Sequence, residues 1–200
     1  MTIDPQRAAP RTGERMTVQE YFALDYTAPH AKYEYQHGKV RLMAGGSKAH
    51  DDIAFNTRTA LKQHFLSGPC SVQGSDMRVQ VAEDTYFFPD VTVTCDVADR
   101  RHGNTLIRSA RIIVEVLSPS TEKIDRTDKL KAYQAWSSMQ EIVLVSQFSR
   151  HVEVYRRTGE ESAIWSHQTY TPGEEVALES VDVYLSLDEI YQGIDFDEPL

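Results

Sequence analysis

Cysteine is nearly absent: Cys70 and Cys95 are the only two in 200 residues, and they do not form a CxxC pair. That spacing excludes a zinc ribbon and a multi-bridge disulfide framework, and leaves two reduced, buried thiols as the expectation. Apolar runs long enough to span a membrane are missing. Residues 1–15 combine Pro5, Pro10 and Gly13 with three arginines and no apolar block, so they read as a mobile leader, and a cytoplasmic location is expected. Repeats, heptads and internal linkers are missing too, so residues 16–200 read as one domain. Nor is there a P-loop, GxGxxG, GxSxG or HExxH, which leaves nucleotide, dinucleotide, α/β-hydrolase and zincin readings without a motif. The chain also lacks positive charge. With 21 Lys+Arg against 30 Asp+Glu it carries −9, which excludes a protein that coats nucleic acid. The deficit is local, however: residues 152–200 hold 12 acidic residues and 2 basic ones, whereas residues 100–131 hold eight basic and four acidic. A −9 chain can therefore still present a phosphate-compatible face.

What is present is an ordinary globular composition, 40% apolar and 26% charged. Thr17 with Glu20 forms a capping-box pattern ahead of an apolar stripe, predicting a helix over 17–26. Alternating residues at 32–36 and 39–43 flank His37-Gly38 and predict a hairpin. A helix over 49–66 ends at Gly68-Pro69. Strands are then predicted over 71–81, 86–95 and 111–117, from their β-branched and aromatic content. A helix follows over 121–138, then strands over 141–147, 151–156, 163–167 and 175–178, and a last helical turn over 186–191 with Ser186 capping. That order describes a mixed α/β domain on one central sheet.

The most informative stretch is 112–117, Ile-Ile-Val-Glu-Val-Leu, because Glu115 interrupts a run apolar enough for a strand buried on both faces. An unpaired carboxylate there costs several kcal/mol, so Glu115 needs a cation, a metal or a proton. The plainer alternatives are a side chain that escapes to solvent or one that pairs with Arg111. Asp90 follows Pro89 at the entry of another apolar strand. Two carboxylates entering one sheet on neighbouring strands suit a hard divalent cation such as Mg²⁺. On the helix after Glu115, Glu122, Asp125, Arg126, Lys129, Tyr133 and Trp136 fall within one face. Solvated charges and a Glu122–Arg126 pair explain part of that stripe, but Lys129 shares it with Tyr133 and Trp136. For Glu34 the default is an exposed strand position opposite Tyr33 and Tyr35, and for His50 a solvated or capping role at a helix start.

These residues resemble a known family. Pro89-Asp90, Glu115-Val116-Leu117-Ser118-Pro119-Ser120-Thr121, Asp125-Arg126, and Lys129 with Tyr133 look like the Uma-type restriction-endonuclease family of the PD-(D/E)XK nuclease superfamily. Tyr33-Glu34, Gly38 and His50 match its N-terminal pattern, and the resemblance covers about residues 16–190. It implies an α/β (α+β) fold, restriction-endonuclease-like, with a central mixed β-sheet flanked by helices. It also implies an endonuclease that hydrolyses phosphodiester bonds with Mg²⁺ (or Mn²⁺), acts on nucleic acid, DNA first, and works as a homodimer away from membranes. By resemblance Asp90, Glu115 and the backbone carbonyl of Val116 are metal ligands, Glu34 is an accessory acid, and His50, Arg126 and Tyr133 are further accessories. Leu117 stands where E-x-K expects lysine, and Lys129 stands in for it. The competing readings are a catalytically silent nuclease-fold module that binds nucleic acid or protein, favoured by Leu117 and the acidic composition, and a carbohydrate-active enzyme using Asp90 and Glu115 as an acid/base pair.

Overall fold

In the computed structural model the Thr17 side chain accepts a hydrogen bond from the Glu20 N–H, and the Glu20 carboxylate accepts one from the Thr17 N–H. This capping box opens α1 (Val18–Thr27) where the sequence predicts it. The structure describes residues 15–28, 30–43, 45–159 and 164–196. The expected leader lies outside them except for Arg15, which bridges to Lys39, and so does position 163 of the strand expected over 163–167. β1 (Tyr33–Gln36) and β2 (Lys39–Leu42) form the predicted hairpin. His37 and Gly38 both turn with positive φ, 48° and 84°, as a two-residue hairpin loop demands. α2 (Lys48–His64) starts on Ser47, whose hydroxyl accepts from the His50 N–H.

The two strands predicted over 71–81 and 86–95 each break in two. The first divides at a turn in which the Met77 N–H reaches the Gly74 carbonyl, giving β3 (Ser71–Gly74) and β4 (Arg78–Ala82). The second divides at Pro89, which has no N–H for a ladder, giving β5 (Thr85–Phe87) and β6 (Val91–Thr94). After β7 (Leu106–Ile107) comes β8 (Ala110–Leu117), the apolar strand that carries Glu115. The helix expected over 121–138 is irregular: α3 (Glu122–Ile124) passes into a π-helical turn, Asp125–Lys129, and then into α4 (Leu130–Ala135). β9 (Glu141–Ser146), β10 (Val152–Arg157), β11 (Trp165–Tyr170), β12 (Glu175–Leu178) and β13 (Val183–Ser186) follow, and α5 (Leu187–Ile190) starts on the Ser186–Glu189 capping box.

The expected central mixed sheet is present, with strand order β11-β10-β9-β8-β6-β3 and β8 parallel to β9. The expectation of a single sheet misses a second one, order β2-β1-β5-β4-β7, and a small β12–β13 hairpin. Alternation along β8 decides which face is buried by what. Ile112, Val114 and Val116 pack with Ile53 and Leu61 of α2 and with Val176, Leu185 and Ile190 near the C-terminus. Ile113 and Leu117 pack on the other face with Tyr133, Trp136 and Phe87. A third cluster, Met16, Tyr21, Tyr33, Tyr35 and Tyr86, holds α1 to the five-stranded sheet. In it the Tyr21 hydroxyl donates to the Tyr33 carbonyl and the Tyr35 hydroxyl to the Met16 carbonyl, both at 2.8 Å.

The cysteines differ from expectation. Cys70 and Cys95 are joined by a disulfide, because antiparallel pairing of β3 with β6 continues one step past Ser71↔Thr94 and sets the two side by side. A sequence separation of 25 conceals that register.

The turn at Gly38 holds the β1–β2 register, and with it the position of Glu34. Gly38→Ala puts a Cβ on a residue at φ 84° and is expected to lower stability by about 1 kcal/mol, read as a lower urea midpoint with an unchanged slope.

Candidate functional site

Two of the passages of the chain between the two large sheets, at residues 75–77 and 88–90, border the same cleft. This cleft, of about 1050 Å³, is lined among others by Glu34, Arg41, His50, Asp90, Glu115 and Lys129. Val91 pairs with Val114 across β6 and β8, so Asp90 arrives one step further along, beside Glu115.

Lys129 is the hub. Its Nζ lies 2.7 Å from Glu34 Oε1, 3.1 Å from Glu115 Oε1 and 3.4 Å from Asp125 Oδ1. The Asp125 contact is an ion pair without hydrogen-bond geometry, since Oδ1 is buried and has no hydrogen-bond partner. All four side chains are nearly sealed off: Lys129 and Glu115 are each 4% exposed, Glu34 5% and Asp125 2%. Three different elements supply them. β1 brings Glu34, β8 brings Glu115, and the π-helical turn brings Asp125 and Lys129, four residues apart on one side. The Tyr133 hydroxyl, from α4, donates to Glu115 Oε1 at 2.7 Å, with its ring edge-on to Phe87.

Burial alone would strip the proton from Lys129, but the charges of Glu115, Glu34 and Asp125 outweigh it and hold the ammonium well above its ordinary range. Burial pushes Glu115 well above the usual carboxylate range, opposed by Lys129 and reinforced by Asp125, Asp90 and Glu34. Asp125 is raised for the same first reason, against the pull of Lys129 and Thr121. The cluster thus holds more carboxylates than one ammonium can neutralise.

Asp90 Oδ2 accepts the Val116 N–H at 2.7 Å and lies 3.3 Å from His50 Nε2. Burial disfavours the charged His50, yet its bond to Asp90, the Asp90 charge and the Val116 backbone raise it on balance. His50 therefore sits between two of the groups expected to hold a metal. No three His, Cys, Asp or Glu side chains among the described residues converge as a ready metal cage. A hard divalent cation asks for less, one or two carboxylates with the remaining positions filled by carbonyl and water. Asp90, Glu115 and the Val116 carbonyl, which line the same cleft, are the oxygens that could fill that role, and the excess of carboxylates over the one ammonium suits a cation.

Glu34, expected to be exposed, is buried, because both faces of β1 are covered: Tyr33 and Tyr35 face the aromatic cluster and Glu34 faces Lys129. Arg111 is not the partner of Glu115; its guanidinium donates to the Ser180 carbonyl. Arg126 lies outside the cluster, tied to Glu122 at 2.8 Å and Glu153 at 2.7 Å. Leu117, at the E-x-K position, is buried in the apolar core. One member of the site, Arg41, is not singled out from sequence, and Asp125 is named on the helix face and in the family pattern without a role of its own. Asp125 was readable as the residue four before Lys129. Arg41, 3.6 Å from Glu34, follows from the hairpin register, which pairs the two directly.

The family described as "Putative restriction endonuclease", Uma2, matches residues 18–188. Two uncharacterized proteins of Synechocystis sp. are similar to this chain. Protein slr1290 is 34% identical over 166 residues, covering 82% of this chain and 86% of its own length. Protein sll1609 is 30% identical over 151 residues, covering 74% of this chain and 85% of its own. A crystal structure described as "a putative nuclease belonging to DUF820", from Anabaena variabilis, superposes with a TM-score of 0.72 over 88% of this chain and 97% of that one. Identity to it is 18%, so that likeness is one of fold.

Lys129→Met leaves three buried carboxylates without their shared cation and is expected to cost about 3–5 kcal/mol in metal-free buffer at pH 7. Glu115 and Asp125 already bind protons more tightly folded than ordinary carboxylates do, so the cost shrinks as the pH falls toward 5. Urea melts across that range check both the size and the sign.

Proposed function

The chain belongs to the Uma2 family, and from that premise we propose that it is an endonuclease that hydrolyses phosphodiester bonds of nucleic acid with Mg²⁺ or Mn²⁺. The observation that carries this reading is Lys129 Nζ at 3.1 Å from Glu115 Oε1. Leu117 removes the lysine from β8, and the π-helical turn returns one to the same carboxylate from another direction. This favours a working site over a silent nuclease fold, since a fold that had merely lost its lysine would not rebuild its contact.

In this reading Asp90, Glu115 and the Val116 carbonyl hold the cation. Bound there, a divalent ion supplies a water of lowered pKa and positive charge beside the phosphate. The residues of the chain do the remaining work. The Tyr133 hydroxyl and Lys129 both engage Glu115 Oε1, which leaves its other oxygen to the ion. Lys129 sets its ammonium against the negative charge that grows on the phosphate during in-line attack. Glu34 and Asp125 keep that ammonium protonated and aimed. His50, bonded to Asp90, is placed to hand a proton to or from the reacting oxygens through water. Arg126 holds the π-helical turn through Glu153 rather than meeting substrate. A homodimer, the commonest closed assembly of identical chains, belongs to the same proposal. Among the described residues no helix is long and apolar enough to cross a membrane. A cytoplasmic setting belongs to the same proposal, and it would expose the Cys70–Cys95 bond to reduction.

Calorimetric Mn²⁺ titration, with cleavage of labelled nucleic acid in Mg²⁺, Mn²⁺ and EDTA, tests the proposal. Asp90→Asn and Glu115→Gln are expected to lose Mn²⁺ binding and metal-dependent cleavage. Lys129→Met, confirmed as folded by circular dichroism, should retain Mn²⁺ binding while turnover drops roughly 10²–10³-fold. Wild-type cleavage by Asp90→Asn would sink the assignment of the metal ligands. Mn²⁺ binding with no cleavage of any substrate would instead assign a silent binding module.

A further inference from the structure

The reacting groups lie below the surface, and a second groove leads away from them. It has a volume of about 970 Å³, runs between the β1–β2 hairpin and α4, and shares Glu34, Arg41 and Leu42 with the first cleft. The two therefore adjoin at Glu34, Arg41 and Leu42, and the route across this junction is the candidate channel. Lys39 from the hairpin and Lys131 from α4 both line the second groove, with Asp128 the acid beside them; both lysines are exposed, and among the described residues neither is paired with a carboxylate. Arg41 pairs with Glu34 at the junction, beside Leu42, an exposed apolar side chain at 56%.

We infer that this channel takes a single nucleic-acid strand, a free end or a splayed flap, and that the substrate is not an intact duplex; the inference rests on the phosphodiesterase reading of the site. A duplex is stiff, and its phosphates lie on a convex surface. A phosphate on such a rod cannot descend to Lys129 and Glu115, at 4% exposure each, unless its strand leaves the helix. Unstacking a base costs a few kcal/mol, and a strand that is already single avoids that cost. A flexible strand can dip at Glu34 and continue along the groove, its phosphates meeting Arg41, Lys39 and Lys131. Leu42 offers an apolar face to a base at the bend. Cations along a groove with an apolar contact are the general recipe for holding one strand without sequence preference.

Fluorescence anisotropy in EDTA, on labelled 20-mers of single-stranded DNA, single-stranded RNA and blunt duplex DNA, reads binding apart from cleavage. At least one of the two single strands is expected to bind ten times or more tighter than the duplex, and the comparison of DNA with RNA names the sugar. The Lys39→Gln, Lys131→Gln double variant should weaken single-strand binding tenfold or more. Its plot of log K against log salt should be shallower by about 1.4, from two lost phosphate contacts at ~0.7 each. Duplex binding as tight as that of both single strands, or an unchanged salt slope in the double variant, overturns the inference. So does cleavage within a blunt duplex in Mn²⁺ as fast as within a single strand, which would leave the nuclease reading standing. A retained single-strand preference with no cleavage of any substrate supports the channel and removes the nuclease reading instead.

Discussion

One ammonium holds three carboxylates beneath the surface, and much of the molecule is arranged to make that tolerable. Each acid alone would have to be protonated or driven out to water; with Lys129 among them they stay, at contacts of 2.7, 3.1 and 3.4 Å. Because the four groups come from a hairpin, a central strand and a helical turn, the charge cluster also works as a joint. It fixes the five-stranded sheet to the six-stranded one through β1 and β8. Apolar packing surrounds the joint without entering it: Tyr133 and Phe87 close one side, and Tyr33 and Tyr35 turn away on the opposite face of β1. The cluster remains over-supplied with acid, which makes the same region stable and chemically unfinished.

The seam between the sheets explains why a cleft exists at all. Had residues 71–81 and 86–95 run as unbroken strands, the chain would have built one wide sheet, and Asp90 would have been one more pleat position. Pro89 denies the ladder a donor, and Gly74 starts the matching turn, so both strands leave the six-stranded sheet at nearly the same level. The gap they leave is lined by backbone groups released from pairing. One of these, the Phe88 N–H, reaches Glu34 Oε1 at 3.4 Å. The disulfide between Cys70 and Cys95 closes the far end of this excursion.

Much of this was legible in the sequence where the signal is local. The capping boxes at Thr17 and Ser186, the His37-Gly38 turn, the buried run around Glu115 and the Glu122–Arg126 pair all depend on neighbours within four residues. Glu115 announced itself as a charge in an apolar strand, and Lys129 as a charge in an aromatic stripe. What stayed hidden depends on register between distant segments. Glu34 reads as an exposed strand residue until its second face is known to be covered. The cysteines read as unrelated until β3 and β6 are laid side by side. Arg41 enters the site only through Glu34, a partner that is itself placed by tertiary contacts. The π-helical turn has no sequence mark of its own, since the extra residue is accommodated by what the ends of the segment must reach.

That turn sets a constraint on spacing as well as on residue identity. A π-helical turn holds one more residue than a regular helix of the same span. Inserting a further residue between Thr121 and Lys129, where the turn already holds its extra one, would swing Lys129 by roughly 100° about the axis, off the carboxylates. No functional side chain would have been altered, yet the hub would be empty. Among related chains, then, the stretch from Thr121 to Lys129 should be no longer than it is here, whatever the identity of most residues within it.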